Sequence, residues 1–323
     1  MVNPLANNIA LPKIALGTWS WGTGYRGGDE IFGNHLDEEA LYPVFDKATE
    51  LQLNLWDTAA VYGMNSSETI LGNFIKKSGR EKVIISTKFT PQLAKENDEE
   101  AMESMLDGSL KRLDAEFIDI YWIHNPMDIE KWTPKLIPLV KKGKVKHVGV
   151  SNHNLTEIKR VISILAEENI PLFAVQNHYS LLYRASEQAG IMDFCQENDI
   201  KFFSYMVLEQ GALTDKYHKK HPLPEGTRRG EAFPPDVLEK IEPLIITMKK
   251  IGQKKDATVA QIAIAWAIAK QTIPIIGVTK VAHIEDAYKA STIQLSMDEL
   301  EQLERAAEVT GIVIRGGWEN PMA

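Results

Sequence analysis

Short runs of β-branched and aromatic residues alternate with longer amphipathic stretches along the whole chain, and this rhythm constrains the fold more than any other feature. Parallel strands need crossovers of a dozen or more residues, usually helical, so the alternation points to βα units around a parallel sheet. The expected strands are 14–16, 53–56, 83–87, 118–123, 145–150, 173–176, 202–205 and 274–276, eight in all. Between them stand helix starts with short polar caps: Asp37-Glu38-Glu39-Ala40, Ser67-Glu68-Thr69-Ile70 and Asn154-Leu155-Thr156-Glu157. A further cap, Ser296-Met297-Asp298-Glu299-Leu300, follows the last strand. Eight such units in 323 residues predict an α/β fold closed as a (β/α)8 TIM barrel, with an open doubly wound sheet as the alternative.

No Ser/Gly-rich tract, charge block or shift in composition divides the chain, so residues 1–323 read as a single domain with long βα loops. The longest irregular stretch, 208–235, carries Pro222, Pro224, Gly226, Gly230, Pro234 and Pro235 and is a candidate lid. The tail 315–323 places Trp318 after Gly316 and Gly317. Such a segment either reaches over a pocket or pins the terminus, and pinning is the plainer reading.

Charge and cysteine content narrow the partners. Thirty-six Lys and Arg against 44 Asp and Glu leave a net charge of -8, with no basic footprint for nucleic acid or an anionic membrane. The lone Cys195 excludes an internal disulfide, no Cys/His cluster has metal-ligand spacing, and 191–197 reads as a helix that buries an inert thiol. The opening MVNPLANNIALPK has neither the charged start nor the apolar run of a leader, and no apolar span is long enough to cross a membrane. A cytoplasmic setting is the expectation, and the pattern carries no signature of an oligomeric state.

Polar residues recur where the expected strands end. Asp57 follows LNLW, Lys88 follows VIIST, His124 follows IDIYWI, Ser151 and Asn152 follow HVGV, Gln176 ends FAV, Tyr205 ends KFFS and Gly277 follows IPII. In a parallel barrel that face carries the active site. Singly, Asp57 reads equally well as a turn residue, Lys88 as a lysine reaching solvent and His124 as a core histidine. Together with Tyr62, just after Asp57, they form a proton donor and the means to tune it. A tyrosine titrating near 10 needs a neighbouring cation to act as general acid or base at neutral pH. Lys88 supplies that cation, Asp57 pairs the lysine, and His124 is placed to orient a substrate oxygen, which suits proton transfer to a carbonyl.

Reduction also requires a hydride donor. Ser151, Asn152 and Gln176 offer groups for a primary amide and Tyr205 offers a flat face, a set suited to nicotinamide. Gly277-Val278-Thr279-Lys280 leads into a helix near Ala282, where a hydroxyl, a cation and free N–H groups suit a phosphate, although ordinary helix capping explains them too. Gly22-Thr23-Gly24-Tyr25-Arg26-Gly27 fits G-x-G-x-x-G, which raises a Rossmann dehydrogenase. That match reads as chance, because Gly28 to Asn34 intervene before the apolar period begins near Ala40.

These residues lie in motifs that resemble the aldo-keto reductases: GTWSWG (17–22), WDTAAVYG (56–63) followed by SSETILG, STKF (86–89), YWIHNP (121–126), VGVSNH (148–153), VQNHYS (175–180) and IIGVTK (275–280). The resemblance spans nearly the whole chain. It implies a (β/α)8 barrel that binds NADP, or NAD, without a Rossmann domain and reduces a small-molecule aldehyde or ketone. It assigns Tyr62 as general acid, Lys88 and Asp57 as its tuning pair and His124 as substrate orienter. It further implies that Ser151, Asn152 and Gln176 hold the carboxamide, that Tyr205 stacks on the nicotinamide and that Leu208 to Gly211 lie against the diphosphate. Thr279 and Lys280 would meet the 2'-phosphate, with His283 and Asp286 at the adenosine. Met206-Val207 replaces the family's frequent Ser-Pro, and Asp286-Ala287 its frequent Glu-Asn. Trp19 and Trp21 are expected to shape the substrate pocket, the alternative being that they fill the barrel mouth. Two rival functions follow from the same residues. Lys88 as a Schiff-base nucleophile would make an aldolase-like lyase, and a cofactor-sensing partner of the potassium-channel β-subunit type would bind the dinucleotide with little turnover.

Overall fold

A computed structural model describes residues 9–95 and 98–322. Residues 1–8, which include most of the segment read above for a leader, lie outside that range. Eight strands close into a parallel barrel in sequential order: β1 Ala15–Gly17, β2 Leu55–Asp57, β3 Ile84–Phe89, β4 Ile118–Ile123, β5 Val145–Ser151, β6 Leu172–His178, β7 Lys201–Tyr205 and β8 Ile273–Gly277. Every neighbouring pair is parallel, including β1 with β8, which excludes the open sheet and the Rossmann alternative. Among the described residues no helix is long and apolar enough to cross a membrane.

Strand alternation sorts the core into two layers. Leu55, Ile84, Ile120, Trp122 and Phe203 pack inside the barrel, while Trp56, Ile85, Tyr121 and Ile123 face the surrounding helices. The same period of two carries Asp57 in phase with Leu55, and Ser86 and Lys88 in phase with Ile84. Polar side chains thus replace apolar ones at the carboxyl end of the barrel interior, and their burial is a consequence of register.

Three of the four helix starts read from sequence are caps. Asp37 accepts from the Ala40 N–H at 2.8 Å, and Asn154 and Ser296 form reciprocal capping boxes with Glu157 and Glu299. The fourth is corrected: the helix Ser66–Ser78 begins after Asn65, without a side-chain cap. Ser67 and Glu68 are turned into the core, where Glu68 accepts from Thr87 at 2.6 Å and pairs with Arg112 at 2.6 Å. Cys195 is buried in the helix Ile191–Glu197 as expected, and burial pushes its thiol up to about 12.

The glycine-rich loop does open a short helix, Gly28–Phe32, which the sequence reading had treated as intervening coil. Its neighbouring amides are taken by its own acids: Asp29 accepts from the Gly24 N–H at 2.9 Å and Glu30 from the Arg26 N–H at 2.6 Å. A Cβ at Gly22 would stand 2.9 Å from the Gly63 nitrogen, so glycine there lets this loop abut the one that carries Tyr62.

Candidate active site

The βα loops enclose a cleft of about 1150 Å³ at the carboxyl ends of the strands. Asp57, Tyr62, His124, Ser151, Asn152, Gln176, Tyr205, Leu208, Gly211, Gly277, Thr279, Lys280, His283, Asp286 and Trp19 all line it. Lys88 stands behind its wall, fully buried. Trp21 corrects its expectation: fully buried, it donates to the Val278 carbonyl at 2.6 Å and packs on Trp56 and Phe74, so it fills the space between barrel and helices.

A chain of contacts builds the Lys88–Tyr62 corner from the barrel interior. A Cβ on Gly149 would collide with the Trp122 ring, so glycine lets the indole lie against β5. Trp122 Nε1 then donates to Ser86 Oγ at 2.7 Å, and Ser86 donates to Asp57 Oδ1 at 2.7 Å. The other carboxylate oxygen, Asp57 Oδ2, accepts from Lys88 Nζ at 2.5 Å, and the Thr58 carbonyl accepts a second Lys88 proton at 2.8 Å. The third direction of the ammonium is toward Tyr62 Oη, 3.4 Å away. Trp19 stacks on the Tyr62 ring at 5.7 Å between centroids, and the His124 ring meets it edge-on at 6.0 Å.

Charge states follow from these surroundings. Burial pulls Lys88 down, but Asp57 and Tyr62 together more than offset it, so the lysine lies above its ordinary value and stays an ammonium. Burial pushes the Tyr62 phenol up; Lys88 pulls against this and Asp57 adds to it, leaving the phenol above its ordinary value and protonated. His124 is held well below its usual range by burial and by Lys88, so its imidazole is neutral. Thr90 Oγ1 lies 3.1 Å from His124 Nδ1; with the hydroxyl donating, Nε2 carries the proton. Thr90, the first residue after β3 and two past Lys88, carries no sequence signal of this role.

Along the rim, Gln176 Nε2 donates to Asp57 Oδ1 at 3.1 Å, tying β6 to β2. Asn152, in a left-handed backbone conformation (φ 65°), donates to the His124 carbonyl at 2.9 Å and accepts from Tyr205 Oη at 2.6 Å. At the far end, Lys280 precedes the helix Val281–Ala290 without capping it, and Gly277 faces open space where a Cβ would meet nothing within 4 Å. Asp286 lines the cleft and accepts from Gln261, whereas Ala287 is fully buried in the core.

The candidate lid is more ordered than its composition suggests. It contains the 3-10 segment Glu209–Thr214 and the helix Arg228–Ala232, which rests against Gly28–Phe32 from the opposite side of the cleft. Buried Leu223 and Phe233 fasten it. Arg229 lines the cleft, and its buried Nε has no hydrogen-bond partner among the described residues. The tail does more than pin the terminus, since Gly317 and Trp318 line the cleft and Trp318 meets Trp19 edge-on at 6.2 Å. Arg228 sits over the other side of that indole, 3.9 Å from the ring centre. The arginines of the lid gave no sequence signal beyond ordinary surface charge.

A parallel eightfold barrel with an inward lysine–aspartate pair and a tyrosine at the mouth of a long cleft defines a class of barrel oxidoreductases, and the sequence comparisons agree. The profile of the Aldo/keto reductase family matches residues 13–308, and the chain belongs to that family. Among its relatives are the chloroplastic pyridoxal reductase of Arabidopsis thaliana, 32% identical over 93% of this chain and 84% of the relative. An NADP(+) aldo-keto reductase of Schizosaccharomyces pombe is 31% identical over 90% of this chain and 89% of the relative. In fold, the chain is similar to a glycerol dehydrogenase from Gluconobacter oxydans, with a TM-score of 0.79 at 23% identity, covering 93% of this chain and 92% of that one. It is also similar to an aldo/keto reductase from Klebsiella pneumoniae in complex with NADP and acetate, with a TM-score of 0.70 at 22% identity and coverage of 97% and 95%.

Proposed function

We propose that this chain is an NADP(H)-dependent carbonyl reductase in which Tyr62 protonates the oxygen of an aldehyde or ketone. The observation that carries the reading is the Lys88 ammonium, anchored by Asp57 at 2.5 Å and directed at Tyr62 Oη 3.4 Å away. A phenol that lies above its ordinary value holds its proton at neutral pH, as an acid must. The adjacent ammonium then stabilises the phenolate as the proton leaves, and neutral His124 donates a hydrogen bond to the same carbonyl oxygen. An ammonium paired with Asp57 has no lone pair for attack on a carbonyl, which argues against the Schiff-base reading.

The cleft fits the dinucleotide. The partnerless Arg229 Nε, Lys280 and the helix start beyond it suit phosphate groups, and Gly277 leaves room for close approach. In this reading Ser151, Asn152 and Gln176 hold the carboxamide, Tyr205 faces the nicotinamide, and Leu208 and Gly211 border the diphosphate. Thr279 and Lys280 take the 2'-phosphate, with His283 and Asp286 beside the adenosine. The bound nicotinamide supplies the hydride. The named relatives that use or bind NADP favour the phosphorylated cofactor. Trp19, with Trp318 as a wall the sequence reading did not assign, bounds the space for the carbonyl substrate. A cytoplasmic setting is part of the reading, supported by a lone cysteine with no second thiol to pair with.

Replacing Tyr62 with Phe removes the proton and leaves the ring that stacks on Trp19. The expected result is a fall in kcat of about a thousandfold, with NADPH affinity, measured by fluorescence titration, nearly unchanged. Retained turnover would contradict the assignment.

A further inference from the structure

A second buried charged cluster lies behind Tyr205, and no step of the reaction uses it. His178, the last residue of β6, is fully buried between two carboxylates: its Nε2 donates to Glu209 at 2.9 Å and its Nδ1 to Glu319 at 3.0 Å. Glu209 comes from the turn after β7 and also accepts from Ser180 Oγ. Glu319 comes from the C-terminal tail, is itself only 5% exposed, and lies 2.8 Å from Tyr205 Oη. Tyr205 Oη receives the Trp318 indole N–H at 3.3 Å, and its one proton is shared between Glu319 and Asn152 Oδ1, which lies 2.6 Å away. Around this core, the His178 ring stacks on Tyr183 at 4.3 Å and on Tyr205 at 5.5 Å.

A buried carboxylate contributed by a tail needs strong partners to offset its desolvation, and Glu319 has an imidazole and a phenol. Burial pulls His178 down, but Glu209 and then Glu319 more than reverse this and push it up to about 9, so it is an imidazolium at neutral pH. The guanidinium of Arg228, over Trp318, brings a second positive charge near Glu319. Met206, Glu209 and Gln210 all hold left-handed backbone conformations (φ 60°, 45° and 55°), which side chains other than glycine adopt only when their surroundings fix them. The His178–Glu209 bond supplies that constraint immediately after Tyr205.

We propose that Glu319 is a positioning residue for the cofactor end of the site: by holding Tyr205 Oη and His178 together from the tail, it fixes the plane of the Tyr205 ring and the place of Trp318. The link runs on from Tyr205 to Asn152, and from the Asn152 amide to the His124 carbonyl at 2.9 Å. One carboxylate thereby joins the chain terminus to the groups assigned to the carboxamide and to the loop that carries His124. The inference rests on the reductase reading, because only a bound nicotinamide makes the Tyr205 plane consequential.

The test compares full-length wild type, Glu319→Ala and Glu319→Gln in NADPH titration and in steady-state turnover with a panel of aldehydes and ketones, with melting temperatures recorded alongside. Loss of a hydrogen bond to a charged group predicts that Glu319→Ala weakens NADPH binding about tenfold and raises KM for the carbonyl by a similar factor. Glu319→Gln, whose amide oxygen still accepts from His178 and shares the one Tyr205 proton with Asn152 as the carboxylate does, recovers most of each effect. A purely structural role lowers the melting temperature and leaves the affinity of the folded fraction alone. Folded Glu319→Ala with wild-type NADPH affinity and KM overturns the proposal. Should Glu319→Ala fail to fold, Tyr205→Phe, which keeps the ring and removes the hydroxyl held by Glu319, takes its place: NADPH binding weakened about tenfold supports the shared bond, and wild-type affinity overturns it. A wild-type chain that neither binds NADPH nor reduces any carbonyl refutes the function itself and this inference with it. An active wild type with an unaffected Glu319→Ala removes only the role of the tail.

Discussion

Two histidines at the same cleft, His124 half-buried on its wall and His178 fully buried behind it, end in opposite charge states. His124 has a threonine hydroxyl on its ring and an ammonium nearby, and burial with Lys88 holds it neutral. His178 has a carboxylate on each nitrogen and is pushed up to about 9. Burial alone depresses an imidazole, as it does for His153, brought down to about 4. Only the carboxylates reverse the sign. The contrast separates two uses of buried charge. At the Lys88 corner the cation is Lys88, its carboxylate is buried and engaged by Lys88, Ser86 and Gln176, and an uncharged phenol and imidazole remain directed at the cleft. At the tail cluster every hydrogen-bonding direction of the imidazolium is consumed inside the protein.

The strongest way to break this contrast is to remove the cation proposed to tune Tyr62. Lys88→Met leaves Asp57 buried without its ion partner and is expected to cost about 3–5 kcal/mol of stability, together with nearly all turnover. Adding Asp57→Asn should restore much of the stability and none of the activity, a separation read by denaturant melts beside a turnover assay. The tail cluster predicts a smaller, pH-dependent effect. A folded-state value near 9 lies above the ordinary 6.5, so the stability that protonated His178 contributes is complete below pH 6.5 and lost as pH rises toward 9. The span corresponds to about 3 kcal/mol. Melts of His178→Gln should lose this slope between those pH values, and an unchanged slope would mean that another group carries it. The smallest effect sharpens the contrast between site and scaffold. Trp21→Phe should cost about 1–2 kcal/mol through its lost bond to Val278 and leave KM for the carbonyl unchanged. Trp19→Ala should change KM with little loss of stability.

The barrel and most of the site were legible because they depend on local pattern. Strand alternation buries Asp57 and Lys88 in phase with Leu55 and Ile84, and each expected strand lies within a few residues of its place. Where the reading failed, the deciding contact was distant in sequence. Trp21 and Trp19 differ by two positions in one tryptophan-rich motif, and only the packing of Trp56 and Phe74 sends Trp21 inward. Ser67 and Glu68 resemble a cap until Thr87 and Arg112 are brought to them. Nothing in the tail's sequence marks Glu319, because its partner His178 lies 141 residues away, beyond any pattern of spacing.

Asp57 reaches three strands at once: its own β2, Lys88 on β3 and Gln176 on β6 across the barrel. A single side chain therefore gauges the width of the barrel opening as well as anchoring the lysine. Because those bonds share one carboxylate, distortion of the rim at any of the three strands is passed to Lys88 and, through it, to Tyr62. The βα loops stand above this girdle, so the shape of the cleft they enclose can be set apart from the ring of strands beneath it.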